Sequence, residues 1–238
     1  MLDGILASIN ALRVHQKRTD STAHNLANLS TSGFAPQRVE QADLANFGGS
    51  AVTALTPQAQ GPLQYTGGSL DLGIDGGGFF VVDDPSQGEL YTRAGNFLLN
   101  AEGQMVDPMG RTVAPGVEIP AGATSLHVSS GGLVTAFGPD GSVLAQAQLQ
   151  TASFGNPGGL RATGGNAFAA TPASGPAVLA NPATPGHGRI ASGAARGSGT
   201  DLAREMVNLI IDQRAFEANI APLKAFEQMQ GLVMRMVG

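Results

Sequence analysis

The chain contains no cysteine and no tryptophan. No disulfide, thiolate nucleophile or Cys-ligated metal site can therefore form. Charge is scarce, with 13% of the 238 residues being Asp, Glu, Lys or Arg, about half the usual globular share. The charge that is present sums to −5 and gives a pI near 5.2. That balance argues against a nucleic-acid partner, which needs a basic face. No apolar run approaches the ~18 residues of a membrane span. Residues 1–18 carry an acidic third residue and no basic segment ahead of their apolar part. They make a poor cleavable signal peptide, so export, if it occurs, is expected to use another route. Glycine and proline are plentiful at 34 and 14 residues, which points to many turns around a modest core.

Both ends read as helices. Residues 1–29 place Leu2, Ile5, Ile9, Leu12, Gln16, Thr19, Ala23 and Leu26 at alternating spacings of three and four. This is a heptad seam, apolar at its ends and polar in the middle. It stops in the breaker cluster that runs from Asn28 to Gly33, ahead of Pro36. Residues 200–237 form the second helical pattern, with Thr200 or Asp201 as N-cap and Glu205 near the positive end of the dipole. Its seam runs through Leu202, Met206, Leu209, Gln213, Phe216, Ile220 and Leu223, then steps by threes to Phe226 and Met229. Pro222 lies inside this pattern and is expected to kink or break the helix. One such helix, or one such pair, is marginal in isolation and gains order when several copies pack together.

Between the helices lies a glycine-rich zone of short β-type runs, at 70–74, 78–82, 91–99, 104–106, 126–128, 133–137 and 145–154. Hairpin connections at 100–103 and 139–141 supply Gly where positive φ is needed. Short strands at this spacing predict an all-β unit. From 112 to 199 the only charged side chains are Glu118, Asp140, Arg161, Arg189 and Arg196, which leaves strand edges little protected. Residues 35–61 show no clear periodicity and read as a linker or irregular arm, most flexible near Gly48. The expected fold class is α+β, with paired N- and C-terminal helices and an inserted all-β domain. Its segments are 1–34, 35–61, 62–197 and 198–238. The helices either pair with each other as a coiled-coil-like domain or pack separately on their own sheet.

Chemistry is hard to find. His15, His24, His127 and His187 show no ligand spacing. Residues 73–78 resemble a phosphate loop only superficially, since they lead into a strand. The acids Asp71, Asp75, Asp83, Asp84, Glu89, Glu102 and Asp107 sit mostly beside Gly or Pro, as turn residues do. Arg93 is the one base among them and reads either as an ordinary ion pair or as a turn-locking or inter-subunit contact. No serine lies in a nucleophile elbow. No catalytic residue, cofactor or metal ligand is expected.

Three stretches carry a resemblance. His24-Asn25-Leu26-Ala27-Asn28-Leu-Ser-Thr31-Ser-Gly33-Phe34 is similar to the pattern NNLAN-x-x-T-x-GF. Gly78-Phe79-Phe80 with Tyr91-Thr92-Arg93-Ala-Gly95-Asn-Phe97 is similar to G-x-GFF … YTR-x-G-x-F. Glu205-Met206-Val207-Asn208 through Gln213-Arg214-Ala215-Phe216-Glu217-Ala-Asn219 is similar to EMV-x-LI-x-x-QRA[YF]EAN. In this order they resemble the bacterial flagellar rod and hook family. The stretch from 154 to 168 and the C-terminal signature look most like the distal-rod branch, with proximal-rod or hook-type axial subunits as the alternative.

The resemblance implies a structural subunit with no reaction of its own. Many copies would stack in an open helical array, a hollow drive shaft crossing the periplasm and carrying torque from motor to hook. The terminal helices would pair around a central channel and the β domain would form the outer layer. Implied partners are sister copies, other rod and hook subunits, the L/P-ring bushing and the flagellar type III export apparatus, with no nucleic acid and no small-molecule substrate. Leu2, Ile5, Ile9, Leu12 and Leu26 are then expected to meet Leu202, Met206, Leu209, Phe216, Ile220 and Leu223 of the same or an adjacent subunit. A rival of another class, a secreted β-rich adhesin or surface protein, should carry a cleavable signal.

Overall fold

The structure is a computed structural model that describes residues 2–44, 49–57 and 61–237. It is α+β, with one helix near each end of the chain and short strands between them. The chain divides into two compact units. One comprises 1–29, 35–59 and 200–238, and the other 30–34 and 60–199.

The first unit contains α1 (Leu2–Ala27), β1 (Gln37–Leu44), β2 (Gly49–Pro57) and α2 (Leu202–Val237). α1 packs against α2, β1 and β2. α1 ends where the Asn28 side chain donates to the carbonyl of His24 at 2.9 Å, satisfying one of the last orphan acceptors. At the start of α2 the cap is Asp201, whose Oδ1 accepts the N–H groups of Ala203 (3.0 Å) and Arg204 (3.3 Å). α2 runs through Pro222 without a break, so of the two outcomes expected from sequence the break does not occur. Both Pro222 and Ala218, whose carbonyl loses its N–H donor, are exposed, so water can take over that carbonyl.

The expected linker at 35–61 is also revised, because β1 and β2 pair antiparallel from Gln37↔Pro57 to Leu44↔Gly49. A register shift between Glu40 and Gln41 leaves Thr53 without an opposite residue. This bulge throws the apolar alternation of β2 out of phase, which hides the strand from a period-two reading. Gly48, expected to be the most flexible point, lies outside the described residues.

The second unit is built from short antiparallel strands. They are β3 (Leu63–Tyr65), β4 (Leu72–Asp75), β5 (Phe79–Asp84), β6 (Gly88–Thr92), β7 (Leu98–Leu99), β8 (Met105–Val106), β9 (Thr112–Val113) and β10 (Ser125–Val128). There follow β11 (Leu133–Phe137), β12 (Val143–Gln148), β13 (Thr151–Ser153), β14 (Arg161–Gly164), β15 (Ala167–Ala169), β16 (Val178–Ala180), β17 (Arg189–Ser192) and β18 (Ala194–Arg196). The largest sheet runs β14-β15-β6-β5-β9-β8-β7, with β13 joining β5 to β16. β10-β11-β12 form a meander, and the pairs β17-β4 and β18-β3 complete the unit.

β5 is buried on both faces. Phe80 and Val82 enter the main core with Leu72, Leu90, Met105 and Leu149, while Phe79 and Val81 enter a second core with Tyr91, Ala152 and Phe154. Strict alternation along the strand sends neighbouring side chains to opposite cores. Edge-to-face rings stabilise both, with Phe80 5.1 Å from Phe97 and Phe79 5.8 Å from Phe154.

Candidate assembly surfaces

In the first unit, a polar stripe joins the two helices. Asn25 is buried, and its carboxamide donates to the Gln37 carbonyl at 2.9 Å and accepts the Gln37 N–H at 2.8 Å. It treats the first residue of β1 as a neighbouring strand would. The same Nδ2 donates to Glu205 Oε1 at 3.1 Å, and Ser21 Oγ donates to the Gln37 carbonyl at 2.9 Å. Seven residues along each helix the pattern repeats: Arg18 Nε lies 3.1 Å, and His15 Nδ1 3.4 Å, from Oδ1 of Asp212, whose side chain is 1% exposed. Asn25 with Glu205 and Arg18 with Asp212 require α1 and α2 to run antiparallel. Val14 is the apolar member of this stripe, and Ser21 and Thr22 are also buried.

Part of the apolar surface of α2 faces away from that stripe, while Leu209 and Phe216, which share a helical face with Glu205 and Asp212, are half-buried. Leu202, Met206, Val207, Ile210, Ile211 and Met229 are each about half exposed, with Ile210 at 52%. Met206, Val207, Ile210 and Ile211 are related by steps of one and four, so they form a contiguous patch on the helix surface. On α1, Ile9 is exposed.

In the second unit, several motif residues lock turns. Gly33 has φ +67°, and its N–H donates to the Arg196 carbonyl at 2.7 Å. A Cβ there would come within 2.6 Å of the Ala94 nitrogen, so the position excludes any other residue. Phe34 is buried beside it, and the Phe34 N–H bonds the Thr31 carbonyl at 3.2 Å. A Cβ on Gly95 would fall onto the Leu72 carbonyl. This close approach ends β6 near Thr92 and splits the run expected at 91–99.

Arg93 Nε donates to the Gly78 carbonyl at 2.7 Å, and its guanidinium lies 4.9 Å from the Phe79 ring centroid. Burial first, and neighbouring Arg196 second, pull its pKa below the usual guanidinium value. Thr92 Oγ1 donates to the Asn166 carbonyl at 2.8 Å and accepts the Ala94 N–H at 3.1 Å. Among the described residues there is no group of three or more His, Asp or Glu able to hold a metal ion.

Residues 73–136 match the flagellar hook protein FlgE/F/G D1 domain, and residues 191–236 match the flagellar basal body rod FlgEFG protein C-terminal. The chain is 34% identical to the flagellar basal-body rod protein FlgG of Caulobacter vibrioides, over 96% of this chain and 97% of that protein. The chain belongs to the flagellar rod and hook protein family. It is also similar to FlgG of Bacillus subtilis, at 32% identity over 92% of this chain and 93% of that protein. Similarity to the rod protein FlgF of Mesorhizobium japonicum is 30% over 94% and 93%. The D1 match spans the main core from β4 to β11, and the C-terminal match spans β18 and α2.

The family signatures divide by role in this structure. Asn25, Asn28, Gly33, Phe34, Gly78, Phe79, Phe80, Tyr91, Thr92, Arg93, Gly95 and Phe97 make contacts within the chain, as does Glu205. Asn219 bonds the Ala215 carbonyl one turn back at 2.9 Å. Met206, Val207, Gln213, Arg214 and Glu217 are exposed, while Asn208, Ala215 and Phe216 are half-buried, as are Leu26 and Thr31. Ala27 is exposed.

The residues of the expected seam are variously placed. Leu202 and Met206 point outward, Leu12, Leu209, Phe216 and Ile220 are half-buried, and the side chains of Leu2, Ile5 and Leu223 lie outside the described set. On α1 the buried stripe at Val14, Ser21 and Asn25 is displaced by two positions from the apolar heptad at Ile9, Leu12 and Leu26. A signal for it was present, since Arg18 and Asn25, like Glu205 and Asp212, are spaced by seven. A search limited to apolar residues passes over it. The buried Asp107–Arg111 pair was missed for a similar reason, because Arg111 lies just past the acid cluster. Arg111 Nε donates to Asp107 Oδ2 at 2.7 Å, and Nη2 to the Gly165 carbonyl at 2.8 Å.

Proposed function

We propose that this chain is a structural subunit of the flagellar basal-body rod, built to polymerise into a hollow helical shaft that transmits torque. The rod reading is supported by end-to-end similarity to FlgG proteins. The observation that carries the mechanism is the outward apolar patch of Leu202, Met206, Val207, Ile210 and Ile211 beside a polar contact within the helix pair. A single chain leaves that patch in water, where its burial by sister subunits contributes roughly 25 cal/mol per Å². A contact between unlike surfaces, one that does not close on itself, generates a filament. On this reading the antiparallel helices form the coiled-coil-like inner domain and the β-rich unit is inserted between them. The subunit sits in the rod across the periplasm within the L/P-ring bushing and meets other rod and hook subunits. It reaches that site through the flagellar export apparatus. The chain acts by assembly and load-bearing, with no reaction of its own.

The test is Ile210→Asp combined with Ile211→Asp. Both side chains are half exposed, so the isolated chain should lose only about 1.5–3 kcal/mol and keep its helices by far-UV circular dichroism. Polymer recovered by sedimentation should fall to background, and cells carrying the variant should build truncated rods. Normal rods and normal swimming would overturn the reading. A deletion strain, imaged for where its rods stop, separates a distal from a proximal position.

A further inference from the structure

Asp212 is an expensive residue to bury. Its carboxylate is 1% exposed on a helix whose other side offers Met206, Ile210 and Ile211 to solvent. Turning α2 by about one residue's worth of rotation, roughly 100°, would carry the acidic stripe off α1 and bring part of the patch toward it. Met206 and Ile210 would then enter the helix pair, and Asp212 and Glu205 would reach water. That alternative would spare the burial of a carboxylate, and a buried ion pair replaced by apolar contacts is often neutral or stabilising. The structure adopts the opposite arrangement, held at two levels by side chains of α1. Arg18 and His15 face Asp212 at 3.1 and 3.4 Å, and Asn25 faces Glu205 at 3.1 Å.

We infer that Asp212, with Arg18 and His15, is a rotational latch: it sets the face that α2 presents to α1 and thereby keeps the apolar patch directed outward for sister subunits. Two like helices with apolar heptads could settle in several rotational settings, and one buried charged contact at a defined level discriminates among them. Glu205 with Asn25 fixes the same setting seven residues earlier, but Asn25 is also tied to Gln37. The Asp212 cluster is therefore the part of the lock that serves only the helix pair. Asp212 is a positioning residue, acting on assembly through the patch. The assembly consequence rests on the rod reading above, whereas the rotational setting does not.

The absence of cysteine from the chain makes the test direct. A single Ile210→Cys provides one thiol on the outward face, and its maleimide labelling rate is measured in the full-length protein at low concentration. In the native background it should label as a solvent-exposed thiol. In the background His15→Leu, Arg18→Leu, Asp212→Leu, the released helix turns its apolar face inward. Labelling should then slow at least about tenfold, which corresponds to ~1.4 kcal/mol of protection. Far-UV circular dichroism should show the helices retained in both. Equal labelling rates with helices retained would overturn the latch. If the triple variant loses its helices, the charge exchange Arg18→Asp with Asp212→Arg is used. Native-rate labelling of Ile210→Cys in the exchanged protein, with slowed labelling when only Asp212→Arg is present, supports the latch, and native rates in both refute it. The triple variant should also raise the concentration needed for polymer formation by about tenfold or more. If the labelling result holds while the native chain itself never polymerises, the rod reading fails and the latch stands.

Discussion

Asn25 offers the sharpest test of how the helical unit is held together. It is 3% exposed and makes three hydrogen bonds, two to the backbone of Gln37 and one to Glu205. Asn25→Ala would leave the Gln37 N–H without its acceptor in a buried site, at about 1–3 kcal/mol. It would also remove a bond to a carboxylate, worth about 1.5–3 kcal/mol. The Gln37 carbonyl keeps Ser21 Oγ as a donor at 2.9 Å, so it adds little. The expected loss is therefore about 3–5 kcal/mol. Asn25→Asp is nearly isosteric and keeps an acceptor for the Gln37 N–H. It should nonetheless cost as much, because both donors vanish and a second carboxylate faces Glu205. Adding Glu205→Gln returns a donor opposite the new carboxylate and should recover at least about half of the loss. Urea unfolding followed by far-UV circular dichroism reads the helical unit, since its helices dominate that signal. A cost of Asn25→Asp below about 1 kcal/mol, or no recovery with Glu205→Gln, would refute the assignment of this carboxamide as the joint between α1, β1 and α2.

The β-rich unit yields two further predictions. Phe80→Ala empties a fully buried position of the main core and loses the ring contact with Phe97. It should destabilise that unit by about 3–5 kcal/mol in thermal or urea unfolding, and a cost below ~1.5 kcal/mol would mean that this core is not close-packed. Tyr91 is buried against Phe154, and its hydroxyl meets Glu89 at 3.2 Å. Burial first, then the Glu89 charge, raise its pKa above the ordinary phenol value of 10.0. A group whose pKa is raised by folding contributes stability that is complete below the unfolded value and is lost as pH rises through the folded one. The β unit should thus weaken on the alkaline side of pH 10. In a Tyr65→Phe background, which leaves Tyr91 as the sole tyrosine, phenolate absorbance should appear with that loss, and Tyr91→Phe should abolish the alkaline dependence.

The helices were legible because each is long, periodic and bounded by a breaker or a cap, and the strand at 133–137 because its turns contain glycine where positive φ is required. The hairpin at 37–57 was not, because the bulge opposite Glu40 and Gln41 shifts its alternation by one. The strands at 161–164, 167–169, 178–180 and 189–196 are three or four residues of Ala, Gly and Ser with few large apolar groups. They exist because β15, β6, β13, β4 and β3 offer them ladder partners, which is a tertiary cause invisible to a local pattern. The signature residues of both ends were found, but their roles were not. Asn25 and Glu205 read as members of a motif, yet they meet across a sequence separation of 180 residues.

The helical unit buries charge between its helices and leaves part of its apolar surface half in water, and magnitudes explain why that suits a polymer. Full burial of Met206, Val207, Ile210 and Ile211 would contribute roughly 1.5–3 kcal/mol each, and about half of that remains to be gained from their exposed halves. The patch thus offers about 3–6 kcal/mol to neighbours before any ordering cost. An interaction of about 4 kcal/mol corresponds to millimolar affinity, so two free subunits meeting through one such patch separate again. A subunit arriving at the end of a growing array touches more than one neighbour, and the contributions add within a single docking event. Had the helices closed on their apolar faces, the isolated chain would be more stable and the tip would have nothing to capture. The buried Asp212 is on this argument a cost carried by the monomer so that growth occurs at an existing end and not between free subunits.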